Sequence, residues 1–182
     1  MRVITGTARG RNLSTLSGED ITRPTSQSTK EALFSAIQFE LEGARVIDLF
    51  AGSGQLGIEA LSRGAGFCTF VENNRDAFRI VEENIAKCKM QDVSKTVFGD
   101  ALACLSRGGI YDIAFVDPPY CKGLVDQCMP VLVDLMSDDG VIICETDAKE
   151  ELPDFYGDWY AAKIKKYGKT KLTYYRKERH QQ

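Results

Sequence analysis

The sequence is poor in the residues that build metal centres and disulfide frameworks. It has one histidine, His180, near its C-terminal end, and its cysteines never form a C-x-x-C pair. Structural zinc sites need several Cys or His ligands at short spacings, so we expect no metal site and no disulfide framework. We interpret the six cysteines as reduced and mostly buried residues: Cys68, Cys88, Cys104, Cys121, Cys128 and Cys144.

Long hydrophobic runs are also missing. No apolar run approaches the ~18 residues that a membrane-spanning helix needs, and the residues after Met1 lack the apolar core of a signal peptide. We therefore expect a cytoplasmic monomer with no membrane contact. The length of 182 residues, 43% hydrophobic and 27% charged, predicts one compact domain at 26–182 preceded by a basic arm or hairpin at 1–25.

Charge is distributed unevenly along the chain. Residues 1–30 contain five Lys/Arg against two Asp/Glu, residues 161–182 contain eight against one, and the whole chain has a net charge of −3. Two basic ends around an acidic middle are typical of a protein that binds a polyanion, although solvated tails on an acidic domain would give the same pattern.

The most informative stretch is YDIAFVDPPY, from Tyr111 to Tyr120. Its apolar residues predict a buried strand, and the two prolines end that strand because they have no N–H to donate. Proline also restricts the residue before it, so Asp117 should be held extended. The Asp117 carboxylate and the Pro118 carbonyl together can accept the two hydrogens of an exocyclic amine on a nucleic-acid base, and Tyr120 can stack on that base. A plain turn after a strand would look the same.

A second motif, G-x-G-x-x-G at Gly52, Gly54 and Gly57, follows the apolar strand predicted at Val46–Phe50 and opens a helix. Asp48 lies late in that strand, where a dinucleotide-binding enzyme would hold a pyrophosphate. A fixed carboxylate opposes phosphate and favours a cation. S-adenosylmethionine fits this site because it has an adenosine, no phosphate and a protonated amine, whereas a nicotinamide cofactor does not.

Two further acids end the next two predicted strands. Glu72 ends the strand from Phe67 and lies 18 residues after Gly54, near the ~20-residue spacing at which an acid accepts the ribose hydroxyls. Asp100 follows the strand at Thr96–Phe98 and can accept from the adenine amine, although it can equally cap the helix through Leu105.

The alternation of strands and helices predicts an α/β, doubly wound and mostly parallel sheet, Rossmann-like, with an antiparallel hairpin at its end. Further predictions concern single elements. Ser28 and Glu31 form a capping box for a first helix from Ser28 to about Leu41, Asn74 caps a later helix, and strands at Tyr160–Lys166 and Thr170–Arg176 form the hairpin around Gly168 and Lys169. Ligands bind at the carboxyl ends of parallel strands, so the four acids should share one crevice.

The segments MRVITGTARGRNL, TRPTSQSTKEALFSAI, DLFAGSGQLGIEALSRGA, FVENN and FVDPPY resemble the bacterial RsmD-type family of 16S ribosomal RNA guanine-N2 methyltransferases, over nearly the whole chain. The family belongs to the class I S-adenosylmethionine-dependent methyltransferases, whose sheet has seven strands with the last antiparallel. This chain departs from the family pattern at Gln27, Ser28 and Thr29, where more charged residues are expected.

The resemblance implies a role for each matching position. It implies a catalytic group of Asp117, Pro118, Pro119 and Tyr120. It implies cofactor contacts from Thr25, Asp48, Gly52, Ser53, Gly54, Glu72, Asn73, Asp100 and Ala101, with Arg23 and Pro24 beside Thr25. Arg9, Arg11, Arg23, Lys169 and Lys171 are the predicted RNA contacts.

The predicted reaction is a direct methyl transfer from S-adenosylmethionine to the N2 amine of a guanine in the 16S ribosomal RNA of the small ribosomal subunit, which leaves S-adenosylhomocysteine. The residues alone specify an exocyclic amine, and guanine N2 rests on the resemblance. Methylation of an amine in DNA or another RNA, and a non-catalytic RNA-binding assembly factor, are the alternatives.

Overall fold

A computed structural model describes residues 1–16, 26–119 and 123–178. Arg23, Pro24, Thr25, Tyr120, Cys121 and His180 lie outside the described residues. The α-helices within these residues are α1 (Gln27–Ala36), α2 (Gln55–Ser62), α3 (Arg75–Cys88), α4 (Ala101–Leu105) and α5 (Leu124–Leu132). The strands are β1 (Arg45–Asp48), β2 (Phe67–Glu72), β3 (Ser94–Phe98), β4 (Tyr111–Val116), β5 (Met136–Asp147), β6 (Phe155–Tyr156), β7 (Trp159–Tyr167) and β8 (Thr170–Lys177).

The strands of the described residues form one sheet in the order β3-β2-β1-β4-β5-β8-β7-β6. Strands β1 to β5 pair with one another in parallel, and β8 is antiparallel to both β5 and β7. The predicted doubly wound, mostly parallel fold with an antiparallel end is confirmed. The strand number is eight rather than the implied seven, because the two-residue β6 pairs with the outer edge of β7.

Each face of the sheet is covered by its own helices. One face, here called the α1 face, packs against α1, α2 and α3, and also buries Val3, Ala8 and Leu13 from the first residues of the chain. The opposite face, the α5 face, packs against α4 and α5. Because paired residues of neighbouring strands point to the same side, the strand register assigns each strand residue to one of these two faces.

Several local predictions are confirmed. Asn74 is the N-cap of α3 and accepts from the N–H groups of Asp76 and Ala77. The terminal hairpin is β7 and β8, joined at Gly168 and Lys169, and Gly168 has the positive φ of 61° that a tight turn requires.

Each helix of the described residues is too short or too polar for a transmembrane span.

The first helix differs from its prediction at both ends. Its N-cap is Ser26 rather than Ser28, since the Ser26 side chain accepts from the Thr29 N–H at 3.1 Å. The helix stops at Ala36 and not near Leu41, and a turn follows it. Leu41 is buried all the same, so the apolar pattern identified core residues but not the helical boundary.

The first residues pair with one another. Arg2 and Asn12 form an antiparallel bridge, and the Val3 N–H donates to the Arg11 carbonyl at 3.0 Å. The turn of this arm meets the C-terminal end of α2, where the Thr7 N–H donates to the Ser62 carbonyl at 2.8 Å. Gly6 is required at that contact, because a Cβ on it would lie 1.6 Å from the Ser62 carbonyl oxygen.

Candidate active site

The parallel strands bring their carboxyl ends to one edge of the sheet. From β1 the chain adds β2 and β3 on one side and then places β4 on the other side. The crevice at this switch point, between the ends of β1 and β4, is where doubly wound sheets bind ligands. Asp100, Glu72, Asp48 and Asp117 follow or end β3, β2, β1 and β4 in that order. The structure therefore places the four predicted acids along one edge.

Asp48 is the most deeply buried of these acids, with 1% of its surface exposed. Its Oδ2 atom accepts from the Gly57 N–H at 3.1 Å, in the first turn of α2. Helix α2 can pack this closely against β2 because Gly57 has no Cβ. A Cβ placed there would lie 2.3 Å from the Phe70 ring. Burial raises the pKa of Asp48 to about 7, the Gly57 hydrogen bond opposes this, and the Glu72 charge adds to it. A cation beside this carboxylate would be bound strongly.

The loop between β1 and α2 is held by Glu72. One oxygen of this carboxylate accepts from the Gly52 N–H at 2.8 Å, and the other accepts from the Asn74 N–H at 2.8 Å. Gly52 and Gly54 have φ values of 56° and 78°, the left-handed conformation that glycine adopts without strain. Asn73, between Glu72 and α3, is exposed. Glu72 thus orders the glycine loop, and each of its oxygens has lone pairs left for a ligand hydroxyl.

Asp100 is the N-cap of α4, and its Oδ1 atom accepts from the Ala103 N–H at 3.1 Å. The side chain of Asp100 is exposed, whereas the following Ala101 is buried. The capping role that the sequence allowed is present. It leaves carboxylate lone pairs free, so the same side chain can also accept from an adenine amine.

Ser53 is fixed by a residue that the sequence did not single out. The buried Asn84 donates to the Ser53 carbonyl at 2.8 Å and to the Ser14 carbonyl at 2.9 Å, and its Oδ1 accepts from the Ser14 N–H at 2.8 Å. One amide of α3 thus joins the glycine loop to the end of the N-terminal arm. An asparagine inside an amphipathic helix gives no signal of such distant partners.

Asp117 and Pro118 stand at the far side of the switch point. Asp117 is half-buried, Pro118 is buried, and Pro119 is exposed. Burial, then the charges of Glu145 and Asp48, hold the pKa of Asp117 well above its usual range. An ionised Asp117 in this position would be stabilised by a group that donates hydrogen bonds to it.

Glu145 is a second residue that sequence reasoning did not assign to the site. Val116 and Cys144 are paired in register, so the next residues, Asp117 just after β4 and Glu145 within β5, stand at the same height. Glu145 is buried, with 3% exposed. It directly follows the apolar run 141–144, and an acid after an apolar run was the signal that could have identified it.

The predicted RNA contacts divide into exposed and buried residues. Arg9, Arg11 and Lys169 are exposed. Lys171 is 3% exposed, donates to the Glu150 carbonyl and forms an ion pair with Glu151 at 3.4 Å. Its prediction as an RNA contact is therefore corrected. The physical reason is that β8 lies inside the sheet between β5 and β7, so both of its edges are paired, and its residues 171–175 are buried on both faces.

A family model described as "Conserved hypothetical protein 95" matches residues 1–176. The chain belongs to this family. Relatives of the family include the Escherichia coli protein named ribosomal RNA small subunit methyltransferase D, which is 32% identical over 98% of this chain and 90% of its own length. A Bacillus subtilis protein named "Putative rRNA methyltransferase YlbH" is 35% identical over 97% of this chain and 99% of its own length. The RsmD-type resemblance is confirmed.

Solved structures agree with this assignment. The E. coli structure titled "Putative methyltransferase yhhF" superposes with a TM-score of 0.88 at 32% identity, covering 98% of both chains. The more distant SMU.776, titled as a methyltransferase complexed with SAH, covers 78% of this chain and 48% of its own at a TM-score of 0.65. At 14% identity that second likeness shows the fold alone. The chain is thus an RsmD-type family member with a methyltransferase fold.

Proposed function

We propose that this RsmD-type protein transfers a methyl group from S-adenosylmethionine to the exocyclic N2 amine of a guanine in the 16S ribosomal RNA of the small ribosomal subunit. The observation that carries the proposal is the position of Asp117 and Pro118 across the switch point from Asp48 and the glycine loop. One crevice can then hold a cationic donor on one side and a hydrogen-bonding amine on the other.

The residues of the crevice fit S-adenosylmethionine. Asp48 would hold its positive charge, Glu72 would accept from the ribose, and Asp100 would accept from the adenine amine, with Ser53, Asn73 and Ala101 alongside. When bound, S-adenosylmethionine supplies an electrophilic methyl group on a sulfonium. A pyrophosphate fits poorly, because the fully buried Asp48 carboxylate lies against the first turn of α2, where a phosphate would bind.

The chain's own residues orient the amine. The Asp117 carboxylate and the Pro118 carbonyl would accept the two amine hydrogens, which favours a pyramidal nitrogen with its lone pair directed at the methyl group. The carboxylate would also stabilise the positive charge that develops on the nitrogen. Positioning and electrostatics therefore share the rate enhancement, and no covalent enzyme intermediate is required.

The raised pKa of Asp48 gives a test of its role in cofactor binding. A cation binds the ionised form, so S-adenosylmethionine affinity should rise as the pH increases through about 7. Asn in place of Asp48 keeps an acceptor for the Gly57 N–H but has no charge. We expect Asp48→Asn to bind about tenfold more weakly at pH 8 and within about twofold at pH 5, as measured by calorimetry. Equal pH profiles for the two proteins would contradict this role.

The strand register also predicts where RNA lies. A row of paired residues on the α1 face runs Asp48, Phe115, Ile143, Tyr174 and Lys163. In the next row toward the site edge, Glu145 pairs with Leu172, which pairs with Lys165. Lys165 thus lies on the same face as the acids and about 14 Å from Asp117, three strand spacings away. Both lysines are exposed.

We expect the double variant Lys163→Gln, Lys165→Gln to bind ribosomal RNA about tenfold more weakly, with a smaller dependence on salt because fewer phosphate contacts release counterions. The matched control compares two single variants that each remove one charge, Lys165→Gln and Lys166→Gln: Lys166 is exposed on the same strand but pairs with Lys171 and so points to the α5 face. Filter binding across a salt series measures both. An equal loss in these two single variants would show that only overall charge matters.

The substrate class is tested by offering the protein three nucleic-acid substrates in separate reactions. Purified protein and labelled S-adenosylmethionine are incubated with small ribosomal subunits, naked 16S ribosomal RNA and duplex DNA in parallel. The proposal expects label in the ribosomal RNA and none in DNA. Label in DNA alone would make the protein a DNA methyltransferase, and RNA binding without label would make it an assembly factor.

A further inference from the structure

We infer that Gln55 is a ligand-binding residue whose side-chain carbonyl accepts a hydrogen bond from the protonated amine of the methionine portion of S-adenosylmethionine. The inference rests on the proposed cofactor and adds a contact that neither the sequence motifs nor the relatives' names assign.

The first observation is an unpartnered acceptor. Gln55 is 8% exposed, and its Oε1 atom is buried with no hydrogen-bond partner among the described residues. A buried carbonyl left without a donor lowers stability, because it has lost its hydrogen bonds to water without replacement. Gln55 directly follows the glycine loop at the site edge, so a ligand bound there could supply the missing hydrogen-bond donor.

The second observation is the direction in which Gln55 faces. Gln55 is the first residue of α2, one turn before Glu59, so the two lie on the same side of the helix. Glu59 contacts Lys30 of α1 at 3.2 Å, which shows that this side faces α1. Side chains on a helix lean toward its N-terminus. The Gln55 amide therefore leans from the start of α2 toward the site edge, on the side of α1.

The third observation is the charge of the surroundings. Asp48 is bound to the N–H of Gly57 in the same first turn of α2. Gly57 faces β2, whereas Gln55 faces α1, so the Asp48 carboxylate and the Gln55 carbonyl approach the start of α2 from different sides, and both are acceptors. A group that satisfies both must donate more than one hydrogen and is favoured if it is positive. A primary ammonium meets both conditions, whereas the cofactor carboxylate would be repelled.

Gln55→Met tests the contact with little change of shape. Methionine is unbranched, similar in length and a good helix former, but it is only a weak acceptor. Calorimetry should show about tenfold weaker binding of S-adenosylhomocysteine. 5′-Methylthioadenosine, which has the nucleoside but no methionine ammonium, should bind the variant and the unchanged protein equally. Gln55→Glu keeps an acceptor at this position and should restore S-adenosylhomocysteine binding.

Stability supplies an independent readout. Because Gln55→Met removes an unsatisfied carbonyl, the ligand-free variant should melt at the same temperature as the unchanged protein or higher, so its weaker binding cannot come from unfolding. Unchanged S-adenosylhomocysteine affinity in Gln55→Met overturns the inference, as does an equal loss for 5′-methylthioadenosine. Failure of both ligands to bind the unchanged protein would instead overturn the proposed cofactor itself.

Discussion

Asp117→Ala should slow methyl transfer about a hundredfold to a thousandfold. This is the loss expected when one preorganised group that stabilises a transition state is removed. The reason is that Asp117 is the charged acceptor at the end of β4, and alanine leaves the amine with only the Pro118 carbonyl. Single-turnover rates with labelled S-adenosylmethionine and small ribosomal subunits measure the loss. Binding of S-adenosylhomocysteine should stay within about threefold, because the predicted cofactor contacts lie on β1, β2 and β3.

Unfolding would not explain that loss. Burial and the charges of Glu145 and Asp48 raise the pKa of Asp117, which means that the folded protein opposes its ionised form. Removal of this carboxylate therefore should not lower the melting temperature near neutral pH. Asp134→Ala is a control at an exposed acid in the short 3-10 helix after α5 and should leave the rate unchanged. Full activity in Asp117→Ala would exclude the motif from the mechanism.

The pH dependence of the reaction adds to this test. An acid whose pKa is raised in the folded protein ionises only as the pH rises above its usual range, and the ionised form is the one that accepts an amine hydrogen beside the Pro118 carbonyl. The rate should therefore increase with pH along its acidic limb. Asp117→Asn, which cannot ionise, should lose this limb and keep only a low, flat rate. An unchanged acidic limb in Asp117→Asn would assign the titration to another group.

Glu59→Ala should lower the free energy of unfolding by about 3–5 kcal/mol, the cost of breaking a buried ion pair by removing one partner. Glu59 is fully buried in α2 and pairs with two cations, Lys30 (2% exposed) at 3.2 Å and Arg63 at 2.8 Å. Its two oxygens also accept from the N–H groups of Ile4 and Thr5 at 2.8 and 3.0 Å. Alanine leaves both cations and two backbone donors without this acceptor, so the arm should loosen as well.

Urea denaturation measures the change, and two variants sharpen it. Glu83→Ala breaks an exposed ion pair with Lys87 in α3 and should have little effect. The double variant Lys30→Met, Glu59→Met removes both buried charges and should cost clearly less than the sum of Lys30→Met and Glu59→Met measured singly. A Glu59→Ala protein within about 1 kcal/mol of the unchanged protein would contradict the role of this cluster.

The sequence was sufficient where the signal was local. Apolar strands that end in an acid identified β1, β2 and β4 and placed Asp48, Glu72 and Asp117 at one edge, because parallel strands must align their carboxyl ends. The Asn74 cap is a contact within one helical turn. Such features depend on neighbours a few residues away, and the chain displays them directly.

Features that depend on distant partners were missed. The role of Glu59 depends on Ile4 and Lys30, and that of Asn84 depends on Ser14 and Ser53, which come together only in the folded chain. Lys171 was read as an exposed hairpin lysine because its strand is the last in the chain. That strand enters the sheet between β5 and β7, and this order buries it. Sequence order and spatial order differ there, and only the structure shows it.

The central claim is that Asp117 and Pro118 present a guanine amine to the methyl group of S-adenosylmethionine. The direct measurement is to digest labelled ribosomal RNA to nucleosides after reaction and to identify the methylated one by chromatography and mass. We predict N2-methylguanosine with the unchanged protein and about a hundredfold to a thousandfold less of it, in the same reaction time, with Asp117→Ala. Label in a methylated adenosine, in a cytidine or on a ribose oxygen would contradict it.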